Sequence, residues 1–306
     1  MEKFETNLAG IQLEHFIMNA AGTCKTLEGE EGVKRLIKSN TSAIMVGSFT
    51  LEERTGNSGN VYDGRKGLFS LNSMGLPNPG ADYYREHLPE MVKISHEKGK
   101  PLFVSVAGFT PDEYAELSFL SLKGGADLIE LNLSCPNAWQ DGQQKHIACF
   151  DPLLVEEILR CVEERVGQKA KIAVKLSPFS NPSKLNEVAQ VIGRSELVKV
   201  VVSMNTFPNA FTYNESGKPL ITPGGGLSGL AGPAIKPIGL GQIKQLRASL
   251  PDRIDLVGVG GIVTAEDILD YLRVGAKAVQ VATIFLDRGI EIFNEFLFDL
   301  SAKDII

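Results

Sequence analysis

The stretch LIELNLSCPNAW (128–139) joins a strand-like apolar pattern to residues that could do chemistry. Apolar residues at 128, 129, 131 and 133 indicate a buried strand, after which the thiol of Cys135 stands between the amides of Asn132 and Asn137. A thiol with an ordinary pKa of about 8.5 can act as a base at the upper end of physiological pH. The motif alone does not distinguish a base from a nucleophile, and many cysteines are buried and inert. Because Cys135 follows the strand in a polar loop, we interpret it as a functional thiol.

Other apolar runs resemble buried strands and also end in polar or small residues. The strand candidates are 16–22, 42–49, 102–108, 127–135, 171–177, 199–205, 255–261 and 278–283. Polar or small residues at their ends include Asn19, Ser48, Lys175, Ser203, Asn205, Gly260 and Thr283. Helical patterns lie between them, as at 111–125, 151–167 and 264–275.

Eight strand–helix units with nearly continuous apolar strands predict an α/β fold, a parallel (β/α)₈ TIM barrel. An open doubly wound sheet is the alternative, because periodicity does not show closure. The C-terminal ends of the strands form the active-site face of such a barrel, so the polar residues are expected to meet there. No linker or low-complexity segment divides residues 1–306, which predicts one domain.

Composition narrows the class of protein. With 43% hydrophobic and 22% charged residues the chain resembles an average soluble protein, and its net charge of −6 argues against non-specific nucleic-acid binding. No apolar run reaches the ~20 residues of a membrane span, and the first ten residues lack the order of a signal peptide. Cysteines at 24, 135, 149 and 161 have no regular spacing, as in cytosolic proteins. We therefore expect a soluble, cytoplasmic protein.

Two glycine-rich stretches could bind an anion or a flat cofactor. VGVGGI (257–262) precedes a helix start, and Thr283 ends the next strand, which is the usual phosphate site of such barrels. The alternative is a tight turn alone. TPGGGLSGLAGPAIKP (222–237) is either a flexible surface loop or a backbone cradle over the cofactor.

Two further positions allow a functional and a structural interpretation. Lys175 ends an apolar strand, where a lysine is costly without an anionic partner, and a charge there could tune a cofactor ring. Alternatively, its ammonium extends to solvent from the strand end. Cys149 and His146 lie in one loop, but their spacing matches no familiar metal site, so no metal is predicted.

Several motifs together resemble one enzyme family along nearly the whole chain. The segments NSMGLPN (72–78), LNLSCPN (131–137), VKLSP (174–178), SMNT (203–206), GGLSG (225–229) and GVGGI (258–262) are similar to dihydroorotate dehydrogenase. The cysteine in LNLSCPN resembles the soluble class 1 enzymes. The resemblance implies an FMN-dependent barrel that oxidises dihydroorotate to orotate in pyrimidine biosynthesis.

The resemblance also implies roles for single residues. Cys135 takes the C5 proton while C6 passes a hydride to flavin N5, and Lys175 stabilises the reduced flavin near N1 and O2. The substrate ring is held by Asn72, Met74, Gly75, Leu76, Asn132, Asn137, Asn205 and Thr206. FMN is contacted by Ala21, Gly22, Ser48, Asn132, Lys175, Ser203, Gly229, Gly260, Gly261, Ala282 and Thr283.

One position departs from the family pattern. The family has a lysine after the second strand, in a pattern like TKSST, whereas this chain reads MVGSFT with Gly47 in its place. The departure leaves two alternative functions: an FMN oxidoreductase for another dihydropyrimidine, and a flavin-binding paralogue without turnover. The resemblance further implies a homodimer and an electron acceptor that is fumarate or an NAD-linked iron–sulfur subunit.

Overall fold

The computed structural model describes residues 4–24, 29–140 and 143–303. Its strands are β1 (Thr6–Leu8), β2 (Ile11–Leu13), β3 (Ile17–Asn19), β4 (Ile44–Phe49), β5 (Tyr62–Arg65), β6 (Phe69–Asn72), β7 (Leu102–Val106), β8 (Leu128–Asn132), β9 (Trp139–Gln140), β10 (Gln143–Gln144), β11 (Ile172–Lys175), β12 (Val198–Val202), β13 (Phe207–Ala210), β14 (Ser228–Ala231), β15 (Asp255–Val259) and β16 (Ala278–Val281). Its helices are α1 (Gly29–Ile37), α2 (Gly80–His96), α3 (Pro111–Lys123), α4 (Pro152–Val166), α5 (Pro182–Arg194), α6 (Lys236–Ser249), α7 (Ala265–Arg273), α8 (Thr283–Arg288) and α9 (Ile292–Ala302). None of these helices has the length and apolar character that a membrane crossing requires.

Eight parallel strands form the central sheet, in the order β3-β16-β15-β12-β11-β8-β7-β4. The first and last strands of this order are joined by the buried side chain of Asn19, which donates to Met45 O at 2.8 Å and accepts from Met45 N at 2.9 Å. Ser42 N also donates to Ile17 O at 3.0 Å. These bonds bring the edges of the sheet together, and the (β/α)₈ barrel expected from the sequence is confirmed.

Local sequence determines where the covering helices begin. Each of α3, α4 and α5 has proline in its first turn, where a backbone N–H is not needed. The side chains of Thr110, Asp151 and Asn181 precede these prolines and accept hydrogen bonds from backbone N–H groups of the first turn. These caps follow the ends of β7, β8 and β11. They therefore mark where the loops at the C-terminal face of the barrel end and the helices begin.

A four-stranded antiparallel sheet, in the order β13-β14-β6-β5, accompanies the barrel and was not predicted from the sequence. Its strand β14 lies inside the glycine-rich stretch 222–237, after a turn in which Gly224 and Gly225 have φ of 63° and 66°. The sequence SGLA lacks the alternation and β-branched residues that mark a strand. Because Gly229 pairs with Asn72, this sheet brings two predicted site residues together.

A buried ion pair lies inside the barrel. Glu130, on β8, is fully buried, and its carboxylate lies 3.7 Å from Nζ of Lys175 on the neighbouring β11. Lys175 donates to Oε1 of Gln280 at 3.0 Å, and Gln280 donates to Glu130 at 3.1 Å. Ser105 Oγ donates to the same carboxylate at 3.1 Å. The two charges therefore have each other and two polar side chains as partners within the protein.

We predict that Glu130→Gln destabilises the protein by about 3 kcal/mol, because removing one partner leaves a buried charge uncompensated. Glu130→Gln combined with Lys175→Met should recover most of that loss, since the pair is then removed as a unit. Urea unfolding of the apoprotein measures both effects.

The matched control is Glu164→Gln, which removes the partner of Arg160 from an exposed pair at 2.6 Å and should leave the unfolding midpoint unchanged. A single Glu130→Gln variant as stable as the parent would contradict a compensating role for the buried carboxylate.

Candidate active site

A cavity of about 260 Å³ opens among the C-terminal ends of the barrel strands. Its walls include Cys135, Lys175 and a set of amide and small side chains, and the cavity brings together most of the residues singled out from the sequence. The lining residues are Ala21, Gly22, Cys24, Gly47, Ser48, Asn72, Met74, Gly75, Leu76, Pro77, Asn132, Cys135, Pro136, Asn137, Lys175 and Asn205.

Two of the predicted substrate-binding amides hold each other in place. Asn137 Nδ2 donates to the backbone O of Asn72 at 2.8 Å and to its Oδ1 at 3.0 Å. Asn57, to which the sequence patterns did not point, donates from Nδ2 to Asn137 O at 3.1 Å and to Ser73 O at 2.9 Å. This network fixes the orientation of both amides at the cavity wall before any ligand binds.

The segment from Met74 to Leu76 forms a tight turn beside the cavity. Gly75 and Leu76 have φ of 78° and 59°, and the left-handed region is uncommon for leucine. Asn57 N donates to Met74 O at 2.9 Å and Arg54 Nε donates to Gly75 O at 3.1 Å. A Cβ at position 75 would lie 2.5 Å from Oδ1 of Asn57, so this close approach requires glycine.

A hydrogen-bond chain connects Asn132 to the buried carboxylate inside the barrel. Asn132 Nδ2 donates to Ser48 Oγ at 2.9 Å, and Ser48 shares a 2.8 Å hydrogen bond with Ser105. On its other side, Asn132 Oδ1 accepts from Ser134 Oγ at 2.8 Å, and Asn205 Nδ2 donates to Ser134 Oγ at 3.2 Å. Asn132 and Asn205 are therefore oriented by contacts inside the barrel.

Thr206 lies next to the cavity without lining it. Its N–H donates to Asn205 Oδ1 at 2.8 Å, while its buried Oγ1 has no hydrogen-bond partner in the described part of the chain. A Cβ at Gly229 would lie 2.0 Å from Thr206 Oγ1 and 3.2 Å from Nδ2 of Asn137. Gly229 is thus required for the close packing of β14 against this side of the site.

Cys135 is half-buried in the loop after β8. Burial raises the pKa of its thiol, whereas backbone hydrogen bonds from Asn137 and Ala138 and the charges of Lys145 and Arg54 act in the opposite direction. The net change in this pKa is upward. The thiolate is therefore scarcer at neutral pH than that of an exposed cysteine, and it is a stronger base once formed.

Gly47 lines the same cavity as the small residues Ala21 and Gly22. Its N–H donates to Cys24 O at 3.1 Å, and the residue lines the cavity. Two cations lie near Gly47 in sequence, Lys25 and Arg54, and Lys25 lies outside the described residues. Arg54 is held at the cavity rim by its bond to Gly75.

Four further residues that were predicted to bind the cofactor, Ser203, Gly260, Gly261 and Ala282, do not line this cavity. Gly260 and Gly261 have φ of 114° and 70° in the loop before α7. Ser203 Oγ accepts from Val259 N at 3.2 Å, and Tyr271 donates to Gly260 O at 2.7 Å. Ala282 immediately precedes α8, and Ser203 is fully buried. These contacts fix the shape of the glycine loop.

Thr283 lines a second cavity of about 730 Å³. Its hydroxyl shares a 3.1 Å hydrogen bond with Ser70 of the antiparallel sheet. Arg65, Lys66 and Arg288 also line this cavity, together with the carboxylates of Asp63 and Asp287. Three cations against two carboxylates, beside a hydroxyl group, still favour an anionic group such as a phosphate.

The residues present fit FMN. Ala21 and Gly22, one with a methyl side chain and one with none, line the cavity wall. A Cβ at Gly22 would meet nothing within 4 Å, so a flat ring has room there. Among the described residues that line the first cavity, Lys175 is the cationic one. Its positive charge suits the negative charge of a reduced flavin. The hydroxyls and cations around Thr283 suit a phosphate tail.

The metal alternative has no geometric support within residues 4–24, 29–140 and 143–303, where no group of three or more potential ligands could hold an ion. His146 is exposed, whereas Cys149 is fully buried and its thiol accepts from Ser177 N at 3.2 Å. Burial raises the pKa of Cys149 to about 12. Cys149 is therefore a core residue.

Sequence patterns did not identify several residues that contact the side chains or backbone of the cavity residues. These are Asn57, Ser105, Glu130 and Gln280. A signal was present for Glu130, because a carboxylate within the apolar run LIEL needs a buried cation, and Lys175 ends a nearby strand. Asn57 lies in a loop, where no periodicity shows which way a side chain points.

Comparison with known proteins relates this site to one family. The family model described as dihydroorotate dehydrogenase matches residues 3–303. The catalytic subunit of dihydroorotate dehydrogenase B (NAD(+)) from Thermoplasma acidophilum is 32% identical, over 97% of this chain and 92% of that protein. Dihydroorotate dehydrogenase A (fumarate) from Lactococcus lactis subsp. cremoris is also 32% identical, over 96% of this chain and 92% of that protein.

A solved structure supports the fold. The crystal structure of DHODH from Eimeria tenella in complex with ferulenol superposes with a TM-score of 0.80, covering 98% of this chain and 84% of that one at 19% identity. The family match and the two relatives extend over nearly the full chain, including the cavity at the C-terminal ends of the strands. The chain belongs to the dihydroorotate dehydrogenase family.

Proposed function

We propose that this protein is an FMN-dependent oxidoreductase that oxidises dihydroorotate to orotate in pyrimidine biosynthesis, with Cys135 as general base. One observation carries the proposal: the family's cavity combines the Cys135 thiol with four asparagine side chains, Asn72, Asn132, Asn137 and Asn205. Amides donate and accept hydrogen bonds, which suits a pyrimidine ring edge that alternates carbonyl and N–H groups.

The reaction breaks the C5–H and C6–H bonds of the substrate and forms the C5=C6 double bond. The Cys135 thiolate takes the C5 proton, which the adjacent carbonyl makes acidic, and becomes a thiol. Residues such as Ser48 and Lys175 would hold FMN, which would supply the acceptor for the hydride that leaves C6. Asn72, Asn137 and the turn at Met74–Leu76 orient the ring, so that C5 faces the thiolate.

The proposed FMN contacts divide between the flavin ring and the phosphate tail. Ala21, Gly22, Ser48, Asn132 and Lys175 serve the ring, while Gly260, Gly261, Ala282 and Thr283 serve the tail. Ser203 and Gly229 are also proposed to contact FMN. Lys175 supplies the positive charge, and its buried partner Glu130 holds that charge inside the barrel.

We predict that the purified protein is yellow and releases one FMN per chain on heat or acid denaturation, because nothing in the proposed site requires a covalent link. Chromatography of the released flavin identifies it. Release of FAD, or no flavin binding after reconstitution with FMN, would contradict the proposal.

A second prediction concerns Cys135→Ala. The variant should keep its FMN but lose at least ~10²–10⁴-fold in the rate of flavin reduction by dihydroorotate, which is the usual contribution of a general base. Anaerobic stopped-flow absorbance of the flavin measures this rate. The control is Cys161→Ala on α4, which should react at the parental rate.

The pH profile of the parent adds a second readout. The Cys135 thiol has a raised pKa, so the reduction rate should climb with pH through the ordinary thiol range near 8.5 and continue above it. If Cys135→Ala reduced its flavin at the parental rate, another residue, with Ser134 first, would have to be the base.

The electron acceptor and the assembly state belong to the same proposal. We propose fumarate, or NAD through an iron–sulfur partner subunit, since relatives at the same 32% identity carry both names. The four cysteines at 24, 135, 149 and 161 form no cluster-binding run, so a second subunit would carry any iron–sulfur centre. We further propose a cytoplasmic homodimer.

Gly47 supports a second candidate function. A lysine at this position would supply one positive charge and up to three donors to a substrate carboxylate. Without it, a dihydropyrimidine that lacks the carboxylate is a competing substrate, and a flavin-binding paralogue without turnover is the remaining alternative.

We predict that Gly47→Lys binds orotate roughly ten- to a hundredfold more tightly than the parent, because a charge-assisted hydrogen bond contributes about 1.5–3 kcal/mol. The Kd follows from the flavin spectral shift on titration with orotate. Gly47→Met, which adds a chain of similar length without charge, is the matched control.

The opposite change in orotate affinity would contradict this prediction. If the parent already binds orotate tightly and Gly47→Lys weakens binding while retaining FMN, the cavity recognises the carboxylate through other groups, and Gly47 is an adaptation of the site.

A further inference from the structure

Asn57 connects the loop that carries Cys135, here called the thiol loop (133–138), to the turn that follows Asn72, here called the substrate turn (73–76). Its Nδ2 donates to the backbone O of Asn137 at 3.1 Å and to the backbone O of Ser73 at 2.9 Å. A longer contact of 3.3 Å joins the same nitrogen to Ser73 Oγ. One side-chain nitrogen therefore spans both segments.

The backbone of Asn57 is attached to the substrate turn as well. Asn57 N donates to Met74 O at 2.9 Å, and a Cβ at Gly75 would lie 2.5 Å from Asn57 Oδ1. Gly56, which precedes Asn57, has φ of 80°, and a Cβ there would lie 2.6 Å from Met74 O. Because its backbone is fixed to the substrate turn, the Asn57 side chain holds the thiol loop at a set distance from that turn.

A second amide joins the same two parts of the chain, but from inside the cavity. Asn137 Nδ2 donates to the backbone O and to Oδ1 of Asn72, and both residues line the cavity. An amide nitrogen has two hydrogens, so Asn137 must give up at least one of these bonds to donate to a bound ligand. Asn57 is not among the described residues that line the cavity, and its bond to the Asn137 backbone needs no such exchange.

We propose that Asn57 is a positioning residue that sets the distance between the Cys135 thiol and the substrate ring. It holds the thiol loop, which carries the base, against the substrate turn, which holds the ring. When a ligand takes over the amide of Asn137, the bond from Asn57 to the Asn137 backbone still joins the two segments. This inference rests on the proposed function, because it takes Cys135 as the base and the substrate turn as part of the ring site.

Loss of this connection should affect the chemical step more than binding. A misplacement of about 1 Å between reacting groups can lower a rate about 10²-fold. The other amides proposed to hold the ring have partners of their own: Asn72 Nδ2 donates to Gly229 O at 3.4 Å, and Asn205 Nδ2 donates to Ser134 Oγ at 3.2 Å. Ring binding should therefore persist without Asn57, while proton transfer to Cys135 slows.

We predict that Asn57→Ala lowers the limiting rate of flavin reduction by dihydroorotate about 10- to 100-fold and changes the Kd of orotate less than about threefold. Anaerobic stopped-flow absorbance of the FMN-loaded protein gives the rate, and the flavin spectral shift gives the Kd. The matched control is Asn60→Ala on the same segment, because Asn60 Nδ2 donates instead to Asp63 Oδ2 at 3.0 Å and to Leu220 O at 2.7 Å. It should react at the parental rate.

A double-mutant cycle distinguishes positioning of the base from a general loosening of the site. In a Cys135→Ala background the base is absent, so Asn57→Ala should lower the remaining rate less than about threefold. Rate losses that multiply in the double variant would show a structural role only and would overturn the proposal. A limiting rate of Asn57→Ala equal to that of the parent would overturn it as well.

Hydrogen–deuterium exchange of the FMN-loaded protein tests the connection without substrate. The thiol loop should exchange about tenfold faster in Asn57→Ala than in the parent or in Asn60→Ala, because a bond that holds it is lost. If dihydroorotate fails to reduce the flavin of the parent, the proposed function fails, and unchanged exchange in Asn57→Ala would separately overturn the role of Asn57.

A second variant covers the case in which Asn57→Ala does not fold. Asn57→Ser keeps one side-chain donor, so it should show smaller losses in the same direction in both the reduction rate and the exchange experiment. Parental values of Asn57→Ser in both measurements would overturn the proposal.

Discussion

A charged or polar side chain that is buried inside the barrel is costly unless it has a partner within the protein. The Glu130–Lys175 pair meets this constraint with Gln280 and Ser105, and the chain of bonds continues through Ser48 to Asn132 at the mouth. Groups that could bind ligand are therefore oriented by the same contacts that make the core stable. Changing one member is expected to affect stability and site geometry together.

In the loop that carries Cys135, burial of the thiol opposes its ionisation. A base that must hold a proton from carbon benefits from a dry environment, but dryness also suppresses the thiolate. Backbone hydrogen bonds and nearby positive charges act against this effect, but the net change in the pKa of Cys135 is upward. The short hairpin after the loop returns the chain to Ala138, whose carbonyl accepts from Lys145 N.

The sequence was sufficient for the barrel, because eight apolar strand runs with capped helices between them leave few alternatives. It was also sufficient for most of the cavity wall, since residues at the ends of parallel strands must converge. It did not reveal the antiparallel sheet, whose strand SGLA has almost no β-forming residues. Nor did it reveal Asn57, because only tertiary contacts turn this loop side chain towards the site.

The central claim is that this amide-lined cavity, with its thiol base, oxidises a dihydropyrimidine that carries a carboxylate. Anaerobic titration of the FMN-loaded protein with dihydroorotate, and separately with dihydrouracil, tests it most directly by the loss of flavin absorbance. We expect dihydroorotate to bleach the flavin stoichiometrically and to form orotate. Bleaching by dihydrouracil alone, or by neither compound at saturating concentration, would contradict the account.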